Sequence, residues 1–497
     1  MSTTPKMLRF VSVGQQMPVK RQPAERRKDF AEIYSAFSAS KAAEQAGRCS
    51  QCGVPFCQVH CPLQNNIPDW LKLTAEGRLE EAYEIAQATN SFPEICGRIC
   101  PQDRLCEGNC VIEKGFESVT IGSVEKHITD TAWDMGWVKP PAPPRELSAS
   151  VGIVGAGPGG LAAAEALRRI GYQVTVYDRY DRVGGLMIYG IPNFKLEKDV
   201  VARRARLLAE GKVGFVLNFE VGRDASLAAL RAEHDAVLIA TGVYKARDIK
   251  APGIGLANVR PALEYLTASN RKVLGDDVPG FDDGTLDARG KHVVVIGGGD
   301  TAMDCVRTAV RQGAKSVKCL YRRDKRNMPG SQREVFHAEE EGVEFVWLSA
   351  PEAFLGRAAK SKRAGAETVK AVRAVRMRLG VADAAGRQTP ELVEDSGFEL
   401  PADLVVTALG FDPEDVPALF AAPELAVTRW GTIKIDWRTM MTSLEGVFAA
   451  GDIVRGASLV VWAIRDGRDA AQSIDRYLSQ RIREDARAVR DLSPMSV

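Results

Sequence analysis

No stretch of this chain approaches the roughly 18 consecutive apolar residues of a membrane-spanning helix, and Met1 to Phe10 lacks the apolar core of a secretory leader. These absences predict no membrane association and a cytoplasmic setting, where thiols stay reduced. A charge excess is missing too: 66 Lys and Arg stand against 64 Asp and Glu, a formal net charge of +2. That balance gives no general surface for nucleic acid. Only the first 30 residues depart from it, with Lys20, Arg21, Arg26, Arg27 and Lys28 against Glu25 and Asp29. Such a run fits either a solvated terminus or a docking arm for an acidic partner surface.

Cysteine is nearly absent outside one region. Of ten cysteines only Cys305 and Cys319 lie beyond the interval from Cys49 to Cys110. In a reducing compartment disulfides do not explain such clustering, and a set of metal ligands does. The first group is Cys49, Cys52, Cys57 and Cys61 followed by Pro62; the second is Cys96, Cys100 followed by Pro101, Cys106 and Cys110. Eight thiolates suit two four-cysteine sites. Structural zinc also uses Cys₄ sets and remains the competing reading. Dense runs ending in Cys–Pro, without histidines in register, favour two 4Fe–4S clusters, and such runs often donate a cysteine to the other cluster. His60 reads as an incidental loop residue, and Cys305 and Cys319 as small core residues.

At 497 residues the chain should form about three domains. The region before residue 145 carries the cysteines and helix-like stretches, among them one from Asp69 to Ala88 interrupted at Gly77. Pro140, Pro141, Pro143 and Pro144 then form a stiff linker. From Ser150 the pattern changes to strand, glycine turn, helix and strand, and it recurs about 140 residues later from His292. The fold expected is α/β, with two Rossmann-like nucleotide-binding domains preceded by a mainly helical iron–sulfur domain. The expected division is 1–145 for the iron–sulfur domain and 146–285 for the first part of an FAD-binding domain. An inserted NADPH-binding domain would take 286–410, and the FAD-binding domain would resume over 411–497. Residues 357–366 form a polar, basic loop.

The two repeats carry dinucleotide fingerprints with opposite charge preferences. In the first, Gly155, Gly157 and Gly160 follow a strand and open a helix: one for the tight turn, one for close approach of a pyrophosphate, one for helix–strand packing. Asp178 ends the next strand, suited to accept hydrogen bonds from a ribose. The adenosine half of FAD fits there. Gly184 and Gly185 support the assignment, as do Gly451 and Asp452, which could hold the ribityl-pyrophosphate region ahead of a helix start facing the flavin pyrimidine ring. In the second repeat Gly297, Gly299 and Ala302 form the fingerprint, and the following strand ends in Tyr321, Arg322 and Arg323. An acid there would repel a 2′-phosphate and guanidinium groups bind it, so NADPH is expected over NADH. Hydride chemistry between these cofactors needs no general acid or base, and none is nominated.

The order of these features, with the segment Gly184–Gly–Leu–Met–Ile–Tyr–Gly–Ile–Pro192 between them, resembles the small (beta) subunit family of bacterial NADPH-dependent glutamate synthase over nearly the whole chain. The same module is similar to the N-terminal part of dihydropyrimidine dehydrogenase. The resemblance implies an electron-input subunit: NADPH reduces FAD, and electrons pass through two 4Fe–4S clusters to a large (alpha) subunit that makes L-glutamate from glutamine and 2-oxoglutarate. It further implies that Cys49, Cys52, Cys57 and Cys110 hold one cluster, and that Cys61, Cys100 and Cys106 hold three corners of the other. Cys96 is the choice for its fourth corner, with Glu125 the lesser candidate. A related reductase serving another acceptor shares all these sites. Residues 187–194 are expected either to line the flavin or to lie at the partner surface.

Overall fold

A computed structural model describes residues 6–357, 367–383 and 388–492, so most of the basic loop, residues 358–366, lies outside the described residues. The cysteine region is helical. Ser38 caps the helix Ala39–Ala46 by accepting a hydrogen bond from the Lys41 N–H, and prolines start the helices Ile67–Ala75 and Pro93–Ile99. The stretch expected from Asp69 to Ala88 divides at Gly77 into Ile67–Ala75 and Leu79–Thr89, whose apolar faces bury Trp70, Leu71, Ala82, Tyr83 and Ala86 against Val124, Ile128 and Ala132 of Ile121–Asp134. Pro93–Ile99 crosses Ile121–Asp134 so closely that a Cβ on Gly97 would lie 2.7 Å from the Lys126 nitrogen. This crossing brings Cys96 and Cys100 beside Glu125.

Two parallel five-stranded sheets follow. The first has the order Val447–Ala449, Ala236–Ile239, Ser150–Val154, Gln173–Asp178, Gly214–Leu217. The second runs Val259–Pro261, Leu404–Thr407, His292–Ile296, Ser316–Leu320, Glu344–Val346. Its edge strand Val259–Pro261 and the helix Ala262–Val273 precede residue 286, so the second sheet starts earlier in the chain than the glycine pattern alone indicated. The inner strands Ala236–Ile239, Ser150–Val154, His292–Ile296 and Leu404–Thr407 are Val- and Ile-rich and almost wholly buried, as the middle of a covered parallel sheet requires. The edge strands Gly214–Leu217 and Val259–Pro261 are half exposed. The chain passes between the sheets along two short paired strands, Lys245–Ala246 and Phe411–Asp412. The long helix Val460–Leu492 packs on Pro158–Ile170, where a Cβ on Gly467 would lie 2.1 Å from the Gly159 oxygen. An antiparallel layer, Ser349–Arg357, Thr368–Ala382, Gln388–Leu392 and Phe398–Pro401, completes the second unit. Among the described residues no helix is long and apolar enough to cross a membrane.

Candidate functional site

A single cavity of about 710 Å³ is lined from both nucleotide units and from the helical region. Gly155, Gly157 and Asp178 reach it from the first unit; Gly299, Asp300 and Thr301 reach it from the second. Gly155 and Gly297 hold φ of +114° and +148°, which only glycine adopts without strain, and each lies against the carbonyl of a neighbouring strand end, Ala240 or Ala408. Nothing lies within 4 Å of a Cβ built on Gly157 or Gly299, so both second glycines leave open space at a helix start, the cradle a pyrophosphate needs. Gly160 is different: its Cβ would fall 2.0 Å from the Gly155 oxygen. Ala302, its counterpart, is fully buried.

Asp178 has more work than its sequence position indicated. Its carboxylate accepts from the Ala156 N–H at 2.7 Å and the Tyr180 N–H at 2.8 Å, so it shapes the fingerprint turn while still lining the cavity, and burial raises its pKa. Behind it a smaller cavity of about 60 Å³ is walled by Tyr177, Arg179, Phe219, Tyr244 and Phe420. Arg179 forks onto Glu414 at 2.9 and 3.1 Å and lies over the Tyr244 ring at 4.8 Å. This aromatic slot suits an adenine ring. Its far wall comes from residues more than two hundred positions away, so no local pattern announces it.

Gly185 starts the short helix Leu186–Tyr189 and packs on the Gly157 Cα. Met187, Ile188, Tyr189 and Phe194 are buried, and Leu186, Gly190, Ile191 and Phe194 line the cavity, so this segment is an interior wall rather than a docking surface. Gly451 and Asp452 line the opposite side; Asp452 accepts from the Ser458 hydroxyl at 2.7 Å, and the helix Val460–Leu492 begins just beyond. In the second unit Tyr321 is buried against Gly298, Arg322 is exposed, and the Arg323 Nε is buried without a hydrogen-bond partner. Neither arginine lines the 710 Å³ cavity, so the structure does not bring the strand-end charge to the cavity wall. Lys325 is instead engaged by Glu339 at 2.7 Å.

The cysteines fall into two groups that interleave along the chain. Cys61, Cys96, Cys100 and Cys106 line one cavity with Glu125, Asn65 and Asn90. Glu125 accepts from Asn65 at 3.0 Å and Asn90 at 3.2 Å, and burial pushes its pKa up to about 8. Both candidates for the fourth corner, Cys96 and Glu125, therefore stand at the same cavity. Cys49, Cys52, Cys57 and Cys110 lie within electrostatic reach of one another. Cys61, Cys96, Cys100 and Cys106 line the cavity beside Glu125 together, so the four thiols could share one cluster there. The Gln51 side-chain amide donates to the Cys49 sulfur at 3.3 Å, a contact that would stabilise a metal-bound thiolate. Burial pushes the Cys49 and Cys61 thiols up to about 11 and Cys57 up to about 12. Sequence reasoning missed Arg48, fully buried and bonded to the carbonyls of Val13, Phe116 and Ser118, which ties the ends of the cysteine region together. Cys305 and Cys319 are buried in the second unit.

The basic N-terminal run is neither a free terminus nor an open arm. Lys20, Arg21 and Arg26 are paired within the molecule, and Arg26 is 0% exposed.

Comparison with known proteins agrees with this geometry. Residues 26–137 match the family described as dihydropyrimidine dehydrogenase domain II, 4Fe-4S cluster, and residues 149–467 match the pyridine nucleotide-disulphide oxidoreductase family. The chain is 70% identical to the glutamate synthase [NADPH] small chain of Azospirillum brasilense, covering 95% of this chain and 96% of that one. The Escherichia coli K12 small chain of the same name is 44% identical over 94% of this chain and 98% of its own length. Among solved structures, Mycobacterium tuberculosis FprA in complex with NADPH superposes with a TM-score of 0.56 at 19% identity, covering 69% of this chain and 86% of that one, a likeness of fold. With an iron–sulfur region, a pyridine-nucleotide oxidoreductase region and this identity over almost its full length, the chain belongs to the glutamate synthase [NADPH] small-chain family and is an NADPH-dependent oxidoreductase with an electron-input role.

Proposed function

We propose that the chain takes a hydride from NADPH onto FAD and sends electrons singly through two 4Fe–4S clusters to the large subunit of a glutamate synthase, which makes L-glutamate from glutamine and 2-oxoglutarate. The observation that carries the reading is a shared wall. Cys100 and Val461 line both the large dinucleotide cavity and the cavity of the inner cysteine group, so a flavin between Gly157 and Val460 would lie next to Cys61, Cys96, Cys100 and Cys106. The outer group, Cys49, Cys52, Cys57 and Cys110, is flanked by exposed Val54, Phe56, Val59, Val111 and Phe116, a concentration of apolar side chains that suits a protein partner. Bound FAD supplies the change from two-electron to one-electron chemistry.

The chain's own residues supply position and charge. Gly157 and Gly299 admit the pyrophosphates, Asp178 shapes the first turn, and Arg322 and Arg323 select the 2′-phosphate. The start of Val460–Leu492 places N–H groups toward the flavin ring. A reducing compartment, the cytoplasm, keeps the thiols available.

Anaerobic titration with NADPH, followed by visible and EPR spectra, tests the assignment. Flavin should bleach before cluster signals grow, and the protein should hold about eight iron and eight sulfide per chain. About two zinc and no sulfide would overturn the cluster assignment. Cluster re-oxidation by the purified large subunit, in a complex that survives gel filtration, distinguishes this partner from another acceptor.

A further inference from the structure

Residues 17–37, in the iron–sulfur region of the chain, reach across the molecule and contact the second nucleotide unit. The segment is folded back on itself by an antiparallel bridge between Lys20 and Tyr34, with the Arg21 N–H bonded to the Ile33 oxygen and the Ser35 N–H to the Val19 oxygen, both at 2.9 Å. At its tip Arg26 is fully buried between Glu340 at 2.6 Å and Glu341 at 2.9 Å, at the end of the helix Gln332–Glu340. Lys20 also reaches Glu340, at 2.7 Å, and the Tyr34 hydroxyl lies 2.9 Å from His337 Nε2. Its other side is fastened to the helical region, where Glu32 pairs with Arg98 at 2.6 Å and with Lys126. Phe30 accepts a hydrogen bond from Asn193, next to the cavity wall.

The pairing continues inward. Glu341 holds Arg307 and Arg311; Arg307 holds Glu334; Glu334 and Asp304 flank Lys195, at 3.7 and 2.8 Å. Lys195, Asp304, Glu334 and His337 line the 710 Å³ cavity, and so do Met17, Pro18, Ile33 and Tyr34 of the folded-back segment. The strap thus shares the cavity with Asp300 and Thr301, which lie within the second fingerprint, and adds a wall between the two nucleotide units.

We propose that residues 17–37 are a working part of the NADPH site, forming its third wall and, through Arg26, holding the second nucleotide unit at the spacing from which hydride reaches the flavin. The inference rests on the reading that NADPH reduces FAD. In that step the nicotinamide C4 gives up a hydride with its electron pair and is oxidised, and the flavin takes both electrons, with no further reactant. The spacing of donor and acceptor governs such a transfer steeply, and a misplacement of about 1 Å can cost on the order of 100-fold. The two units also meet directly through Arg182–Asp276 at 2.6 Å, Arg271–Asp181 at 2.8 Å and Lys195–Asp304 at 2.8 Å. The buried pairs at Arg26, with the Glu107–Arg333 pair at 2.6 Å, add a brace from the iron–sulfur region to the second unit alone. Arg26 is a positioning residue.

The test compares full-length, flavin-loaded wild type with Arg26→Ala, Arg26→Lys and the milder Glu340→Gln. Stopped-flow bleaching of flavin by NADPH should slow about tenfold or more in Arg26→Ala and less in Glu340→Gln, with partial recovery in Arg26→Lys. Reduction by dithionite, which needs no nicotinamide, should stay at the wild-type rate. Hydrogen exchange should quicken over 17–37 and 332–341 in the same variants. Faster exchange there with NADPH-driven bleaching still within about twofold of wild type overturns the proposal, and Glu340→Gln decides it if Arg26→Ala does not fold. A wild type that NADPH fails to bleach sinks the electron-input reading as well, which separates the two failures.

Discussion

The two nucleotide units use one scaffold for opposite ends. Both run strand, glycine turn, helix and strand, with a positive-φ first glycine against a neighbouring carbonyl and an open second glycine. They part at two positions. The third fingerprint residue is Gly160 in one and Ala302 in the other, because the first helix lies on the Gly155 carbonyl whereas the second leaves room for a methyl group. The second strand ends in a buried acid, Asp178, in one and in Tyr321–Arg322–Arg323 in the other. The backbone motif is common to both units, and under the proposed function the strand-end charge is what would select the dinucleotide. A parallel contrast lies between them. Lys195 and Lys198 sit in one segment, yet burial of Lys195 is outweighed by Asp304, Glu334 and Asp300 of the second unit, which raise its pKa. Lys198 donates to the carbonyls of Met187 and Ile191, and burial outweighs the attraction of Asp304 and pulls it down to about 7.

The largest expected effect erases the first unit's peculiarity. Gly160→Ala puts a methyl carbon 2.0 Å from the Gly155 oxygen, so the purified protein should lose its FAD, read from the flavin absorbance per chain. Retention of a full complement would show that the helix can shift. Next comes the charge contrast. Arg322→Ala with Arg323→Ala should lower the preference for NADPH over NADH by roughly tenfold to 100-fold, the value of one or two charge-assisted hydrogen bonds. An unchanged ratio of kcat/KM would place the 2′-phosphate elsewhere. The smallest effect concerns Lys198. The unfolded lysine binds its proton up to about pH 10.4, so between about 7 and that value the unfolded state holds more protons and stability rises with pH, by at most ~1.4 kcal/mol per pH unit. Lys198→Met should remove that rise, seen as a wild-type melting temperature that gains on the variant from pH 7 to 9 and runs parallel to it below. Parallel curves throughout would mean that Lys198 stays charged in the fold.

Patterns that live within a few dozen residues were legible without coordinates. A glycine turn between a hydrophobic strand and a helix, an acid or a pair of arginines at a strand end, and cysteines three to six residues apart all report local geometry, because the groups involved are tied by short lengths of backbone. Two nucleotide units, a helical cysteine region and NADPH over NADH could therefore be argued from Gly155, Gly297, Asp178, Arg322 and the two Cys–Pro pairs alone. Asp178 shows the limit: its position was clear, and its hydrogen bonds to Ala156 and Tyr180 were not.

Tertiary structure decided what depends on contacts between distant residues. Whether Arg26 is a solvated charge or a buried one depends on Glu340 and Glu341, more than three hundred residues away in the chain. The aromatic cavity behind Asp178 needs Glu414 to meet Arg179, and the shared wall of the large cavity and the inner cysteine cavity needs Cys100 to meet Val461. A charge, an aromatic ring or a thiol carries no label for its partner in the local sequence; burial against a particular neighbour assigns it, and only the folded chain supplies that neighbour.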